Sequence, residues 1–387
     1  MENFEFHNPV KVIFGKKDEL KKLSTLIDQS KKVLLVYGGG SIFKNGVYDA
    51  VRSALVNHTV LEFGGIEPNP HFETAMKAVE VIKAEKVDFV LAVGGGSVID
   101  AVKFIVSAAL YDGADPWDIL AKGAEVKAAL PFGAVLTLPA TGSEMNSGSV
   151  ITKAATEEKF AFMSVHSFPQ FSFLLPDAAG SLPKKQVANG VVDAFVHVME
   201  QYMNYPAGAP LNDRFAESIL QTLIEEGPKV YAKPDDYAAM SNLMWSATMA
   251  LNGLIGCGVP QDWATHMIGH ELTAFHGIDH ARTLAIVMPG LWSVLKEEKK
   301  AKLLQYGARV WNITEGTEEE RVLATIARTE AFFQSLDIPT KLAYYDVKQG
   351  TIDRIVTRFE KRGWKAFGDR GLVTPSVVRQ SLEHQLV

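Results

Sequence analysis

Two pairs of cation-binding residues in this sequence stand four positions apart: Asp193 with His197, and His266 with His270 in the run Asp262-Trp-Ala-Thr-His-Met-Ile-Gly-His270. In a helix, residues at that spacing share a face, so each pair can present two donors to one point. His280 follows in what reads as a loop. Zinc and iron(II) both accept imidazole and carboxylate, and three neutral histidines with one aspartate leave a divalent ion net positive with room for a substrate oxygen. Such an ion is a Lewis acid. An Asp–His pair at this spacing is also a common surface ion pair, so neither pair decides the matter alone. A zincin is excluded, because Met267 stands where that motif needs Glu directly after its first histidine. His276 reads as a polar loop or helix-end residue, and His58, His71 and His166 have no comparable setting.

Two glycine runs suggest a second site. Val33-Leu-Leu-Val-Tyr37 leads into Gly38-Gly-Gly-Ser41, and Phe89-Val-Leu-Ala-Val93 into Gly94-Gly-Gly-Ser97, each followed by helix-like sequence. Glycines after a buried strand let main-chain N–H groups approach an anion, and a helix starting there adds its positive dipole end. Gly94 to Ser97 therefore suits a pyrophosphate, with the Ser97 hydroxyl as a further donor. It is neither a Gly-x-Gly-x-x-Gly fingerprint nor a Walker loop. Readers of NAD place an acid at the end of the first strand to hold the ribose 2′-hydroxyl. Gly38, Gly39 and Ser41 offer N–H groups and a hydroxyl but no carboxylate, which favours NADP(H). Lys44 reads as a helix-surface lysine.

The elements that must carry these residues follow from periodicity. Up to about Pro183, strand-length apolar runs alternate with helical patterns, the signature of an α/β domain with a mostly parallel, doubly wound sheet. Ala134-Val-Leu-Thr-Leu138, ending in Pro139-Ala-Thr-Gly-Ser-Glu144, is a third buried run, and Phe4 to Phe14, broken by Asn8-Pro9, reads as an extended hairpin. Beyond Pro183 apolar residues recur every three or four positions. Val187, Val191, Phe195, Met199 and Tyr202 make one stripe, and Phe215, Ile219, Leu220 and Leu223 another. The expected division is a dinucleotide-binding domain over 1–182 and an all-α domain over 183–387.

With 387 residues, 47% of them hydrophobic and 22% charged, the chain is a globular protein of two-domain length. A net charge of −6, with lysine-rich Lys296–Lys302 read as a solvated helix face, argues against nucleic acid. A single cysteine excludes an internal disulfide and a thiolate zinc site, and no run has the length of a membrane span or signal peptide. The expectation is a cytoplasmic protein.

Taken together, Asn69-Pro70, Gly94-Gly-Gly-Ser-Val-Ile-Asp-Ala-Val-Lys103, Thr137 through Thr141-Gly-Ser-Glu144, Asp193-x-x-x-His197 and His266-x-x-x-His270 with His280 stand in an order that resembles the iron-containing alcohol dehydrogenase family over nearly the whole chain. Tyr37–Ser41 and Gly258-Val-Pro-Gln-Asp-Trp-Ala-Thr-His266 are similar to its NADPH-dependent aldehyde reductase and butanol dehydrogenase branch. The resemblance implies a dehydroquinate synthase-like architecture with a metal in the cleft between the two domains. It implies Asp193, His197, His266 and His280 as the ligands of iron(II) or zinc, and His270 as a nearby histidine available for proton movement. Gly95, Gly96 and Ser97 match pyrophosphate contacts, Thr137 and Thr141 the loop beside the cofactor, Lys159 a lysine near the nicotinamide ribose, and Asn69 and Asp100 residues shaping the cofactor cleft. Where the family commonly has Gly after its last ligand histidine, this chain has Ala281.

The expected activity is metal-dependent, NADPH-linked reduction of small aldehydes to primary alcohols by at least a homodimer. The alternatives are a glycerol dehydrogenase-like polyol oxidoreductase and a metal- or dinucleotide-binding protein without turnover. A dehydroquinate synthase would need basic residues for an acidic phosphorylated substrate, and none cluster near the ligand candidates.

Overall fold

The computed structural model describes every residue, Met1–Val387. Strands β1 (Lys11–Phe14), β2 (Lys32–Tyr37), β3 (Thr59–Phe63), β4 (Phe89–Gly95), β5 (Phe132–Leu138) and β8 (Phe171–Leu174) form one wholly parallel sheet in the order β1-β8-β5-β4-β2-β3. The central runs are continuous Val, Leu, Ala and Phe because helices cover both faces of such a sheet. Val33, Leu35, Leu91, Val93, Val135 and Phe173 form its core on one side. From β2 the chain passes outward to β3, then returns across β2 to β4 and onward to β5, so the winding reverses between β2 and β4. The two glycine runs end these neighbouring strands, at the topological switch point where parallel sheets bind ligands.

Two further strands, β6 (Gly148–Lys153) and β7 (Glu158–Met163), pair as an antiparallel hairpin outside the main sheet. Its turn uses Glu157 in the left-handed region, at φ 51°. The opening segment is no hairpin. Only Lys11–Phe14 is a strand, paired in parallel with β8 at the sheet edge. The Phe4-Glu-Phe6 alternation has no strand to join, because the Glu2 N–H bonds Gly258 and the Tyr205 hydroxyl bonds Glu2 instead.

The chain divides into two compact units, one of His7–Pro183 with Lys233–Thr248, the other of Met1–Phe6, Lys184–Ala232 and Met249–Val387. The expected single boundary after residue 182 therefore misses two exchanged segments. Lys233–Thr248 stays with the α/β unit through the Thr248 hydroxyl on Glu144, Trp245 edge-on to Phe14, and Lys16 over Tyr237.

The second unit is helical, and its Lys184–Tyr202 helix is buried almost throughout. Gly227 of the Pro210–Ala232 helix lies so close to it that a Cβ would stand 2.8 Å from Val191. Of the second predicted stripe, Leu220 and Leu223 are buried but Phe215 is exposed. The lysine-rich stretch is also not simply solvated. Lys299 and Lys302 are buried against Asp262 at 2.7 Å and Asp213 at 2.6 Å, because each ammonium has a carboxylate and further acceptors or an aromatic face around it. No helix is long and apolar enough to cross a membrane.

Candidate functional site

In the helical unit, three helices bring the metal-binding candidates together. Lys184–Tyr202 carries Asp193 and His197, Ala264–His276 carries His266 and His270, and His280 opens the helix His280–Val294. His280 is thus the first residue of a helix rather than part of a loop. The last two helices cross closely at Gly269, directly before His270, where a Cβ would meet Thr283 Oγ1 at 2.8 Å. A larger residue there would force His280 away from His266 and His270.

Ligand atoms of Asp193, His266 and His280 all lie within 4.8 Å of one another. His280 Nε2 is 3.8 Å from Asp193 Oδ1, and His197 Nδ1 is 3.9 Å from Asp193 Oδ2. These separations exceed hydrogen bonds and approach the roughly 3.4 Å between donors around a tetrahedral zinc with bonds of about 2.0–2.2 Å. Buried Asp193 Oδ1 accepts no hydrogen bond, a costly state for a carboxylate that a cation would relieve. The His197 and His266 rings stack at 4.9 Å, and His280 lies 5.2 Å from His266. Two imidazoles and one carboxylate at this spacing fit a divalent zinc or iron(II) ion, with the His197 ring stacked beside them. His270 lies beside them, 5.2 Å from the His280 ring and 6.3 Å from that of His266.

The cluster has built support. Asp279, just before His280, accepts from Asn189 Nδ2 at 2.9 Å and pairs with Lys185 at 2.8 Å. Burial raises its carboxyl pKa, but these partners outweigh it and hold the group below its ordinary value. Glu200, which sequence reasoning overlooked, is buried with Oε1 at 3.0 Å from the His266 N–H and 3.1 Å from His266 Nδ1. Burial, then Asp262, push its carboxyl up to about 8. Its spacing was a usable signal, since Asp193, His197 and Glu200 lie at i, i+4 and i+7 on one helix face. Trp263 was also missed. It precedes the Ala264–His276 helix in the left-handed region at φ 62° and sets its indole edge-on to His266 at 5.2 Å. A non-glycine residue so placed marks a constrained site.

In the α/β unit, β4 runs directly into the Gly96–Ala109 helix through a register shift at Gly94/Gly95. A Cβ on Gly96 would stand 2.3 Å from Thr141 Oγ1, so glycine is what lets the Thr141 loop close over the helix start. Ser97 lies in the first helical turn, and Thr137 is buried at the end of β5. After β2, Gly38 and Gly39 lead through Gly40, at φ 91°, into a short turn of helix beginning at Ser41. Gly39 is exposed, with nothing within 4 Å of an added Cβ, and Lys44 is exposed beyond it.

Three cofactor candidates are engaged by the protein itself. Asp100 accepts from Ser143 Oγ at 2.5 Å and from the Val150 N–H at 3.1 Å, tying the helix to the Thr141–Val150 segment. Buried Lys159, on β7, donates to Asn69 Oδ1 at 2.8 Å, and Asn69 takes the left-handed region at φ 55°. Beneath them Lys103 is fully buried, donating to Asn146 Oδ1 and the Gly148 carbonyl, both at 2.7 Å. Loss of solvation pulls its ammonium down to about 8, against the pull of Asp100 and Glu144.

Comparison with known proteins agrees with both halves. The iron-containing alcohol dehydrogenase model matches residues 9–176, and the C-terminal model of the Fe-containing alcohol dehydrogenase family matches 187–363. The chain is 53% identical over 385 residues to the NADPH-dependent aldehyde reductase YqhD of Escherichia coli K12, covering 99% of each. It is 44% identical over 367 residues to the probable NADH-dependent butanol dehydrogenase 1 of Bacillus subtilis 168, covering 94% of this chain and 95% of that protein. The crystal structure of E. coli YqhD superposes with a TM-score of 0.97 over 99% of each chain. NADH-dependent butanol dehydrogenase A of Thermotoga maritima, 37% identical, gives 0.94 over 100% of this chain and 99% of that one. With both family models matched in sequence order and such relatives spanning its length, this chain belongs to the iron-containing alcohol dehydrogenase family.

Proposed function

We propose that the chain is a metal-dependent, NADPH-linked aldehyde reductase acting on small aldehydes and primary alcohols. The observation that carries this reading is the cluster of Asp193, His266 and His280 ligand atoms within 4.8 Å. His197 is the fourth ligand in this reading. The α/β unit holds the dinucleotide and the helical unit the ion. When bound, the ion draws charge from the carbonyl oxygen and the dinucleotide supplies the hydride.

The chain's own residues do the rest. Gly95, Gly96 and Ser97 offer N–H and hydroxyl donors to the pyrophosphate at the start of a helix. Gly38, Gly39 and Ser41 receive the ribose end without the negative charge that would repel a 2′-phosphate. Asp193 offsets part of the ion's charge. His270, adjacent to the ligands, passes a proton from its imidazole, directly or through one water, to the substrate oxygen as the alcohol forms. NADPH oxidation on adding a short aliphatic aldehyde to zinc- or iron-loaded protein tests the reading. No NADPH oxidation across an aldehyde series would leave a binding protein without turnover.

The open side of edge strand β1 also fits a homodimer. A monomer mass by light scattering at micromolar concentration would refute the dimer.

A further inference from the structure

We propose that Glu200 is the positioning residue of His266: one carboxyl oxygen fixes both the main chain and the ring of this histidine, so that Nε2 is the nitrogen presented to the ion. The assignment rests on the ligand set proposed above.

The His266 N–H lies in the first turn of the Ala264–His276 helix, where N–H groups lack an intrahelical acceptor. Trp263, the residue before that helix, makes no side-chain cap. Glu200 Oε1, from the Lys184–Tyr202 helix, supplies the acceptor at 3.0 Å. A main-chain N–H can only donate, so Oε1 is an accepting oxygen. The same oxygen lies 3.1 Å from His266 Nδ1, which places the ring proton on Nδ1 and the lone pair on Nε2. This pattern, a ligand histidine donating its second N–H to a carboxyl group, orients the ring and raises its basicity toward a metal.

Glu200 is itself held. Its main-chain carbonyl accepts from the Asp262 N–H at 2.9 Å, and Asp262 pairs with buried Lys299, which also donates to the Met203 carbonyl at 2.7 Å. The helix that supplies Asp193 and His197 therefore also sets the ring of His266 on a second helix.

The test uses zinc alone on metal-stripped full-length protein, with a chromophoric chelator as competitor. Glu200→Ala should weaken zinc binding roughly 10- to 100-fold, whereas Glu200→Gln, which keeps an accepting oxygen, should stay within about tenfold of wild type. NADPH affinity of the same samples should be unchanged. Zinc affinity of Glu200→Ala equal to wild type would overturn the assignment. So would parallel loss of zinc and NADPH binding, which would make Glu200 a general stabiliser. A crystal structure of the zinc-loaded wild type is independent of how the variants fold: Nε2 on the ion supports the proposal and Nδ1 overturns it. Because these measurements need no aldehyde, wild type that follows this zinc pattern yet fails to oxidise NADPH would sink the proposed function and leave this inference standing.

Discussion

In the proposed reading, cofactor choice turns on the exposed Gly39 turn. Gly39 has no positive φ and nothing within 4 Å of an added Cβ, so Gly39→Asp should fold as wild type does. The new carboxylate would face the 2′-phosphate, which carries a charge of about −1.5 to −2 at neutral pH. Because Gly39 is exposed, the effective dielectric lies towards that of water. Charges of this size about 5 Å apart then repel by about 1.5–3 kcal/mol, or roughly 10- to 150-fold in NADPH affinity. NADH carries a 2′-hydroxyl that can donate to the carboxylate, a gain of about 0.5–1.5 kcal/mol. Fluorescence titration of both dinucleotides, at about 0.1 M and about 1 M salt, measures the change. The NADPH penalty should shrink at high salt, where the screening length falls from about 10 to about 3 Å. A variant that binds NADPH within about twofold of wild type, or a loss indifferent to salt, would refute the electrostatic account.

Other outcomes follow from the same structure. Asp193→Asn and His280→Ala should purify with little metal, whereas His270→Ala should keep metal and NADPH affinity while losing about 100- to 10,000-fold in turnover. Metal analysis decides: a metal-free His270→Ala protein would make His270 a ligand, and full turnover would make it a packing residue. Lys103 has a folded pKa of about 8, below its ordinary 10.5, so between those values the unfolded chain holds more protons and this group's contribution to stability rises with pH. Wild type should therefore gain on Lys103→Met, by up to about 3 kcal/mol, from about pH 8 to about pH 10.5 in urea unfolding. A difference that stays flat with pH would mean that Lys103 keeps its ordinary pKa.

Much of this protein is legible in short-range sequence pattern. Strand-length apolar runs ending in glycine, and the absence of a carboxylate at Gly38–Ser41, depend on neighbours in the chain and can be read directly. The Asp193/His197 and His266/His270 pairs can be read the same way, because four residues is one helical turn. The choice of His280 as a candidate ligand needed the family resemblance, since no local period links it to the others. What tertiary structure alone decided is non-local. Strand order placed both glycine runs at one switch point, and hydrogen bonds drew the opening segment away from a hairpin. Contacts with β1 and Glu144 carried Lys233–Thr248 back to the α/β unit. Lys299 and Lys302 look like surface residues until Asp262 and Asp213, 37 and 89 positions away, are seen to receive them. Glu200 looks like an ordinary helical glutamate until the crossing helix sets His266, 66 residues further on, against its carboxyl group. Burying a charged or polar group is costly without a partner, and no local pattern names a partner that only the fold brings near.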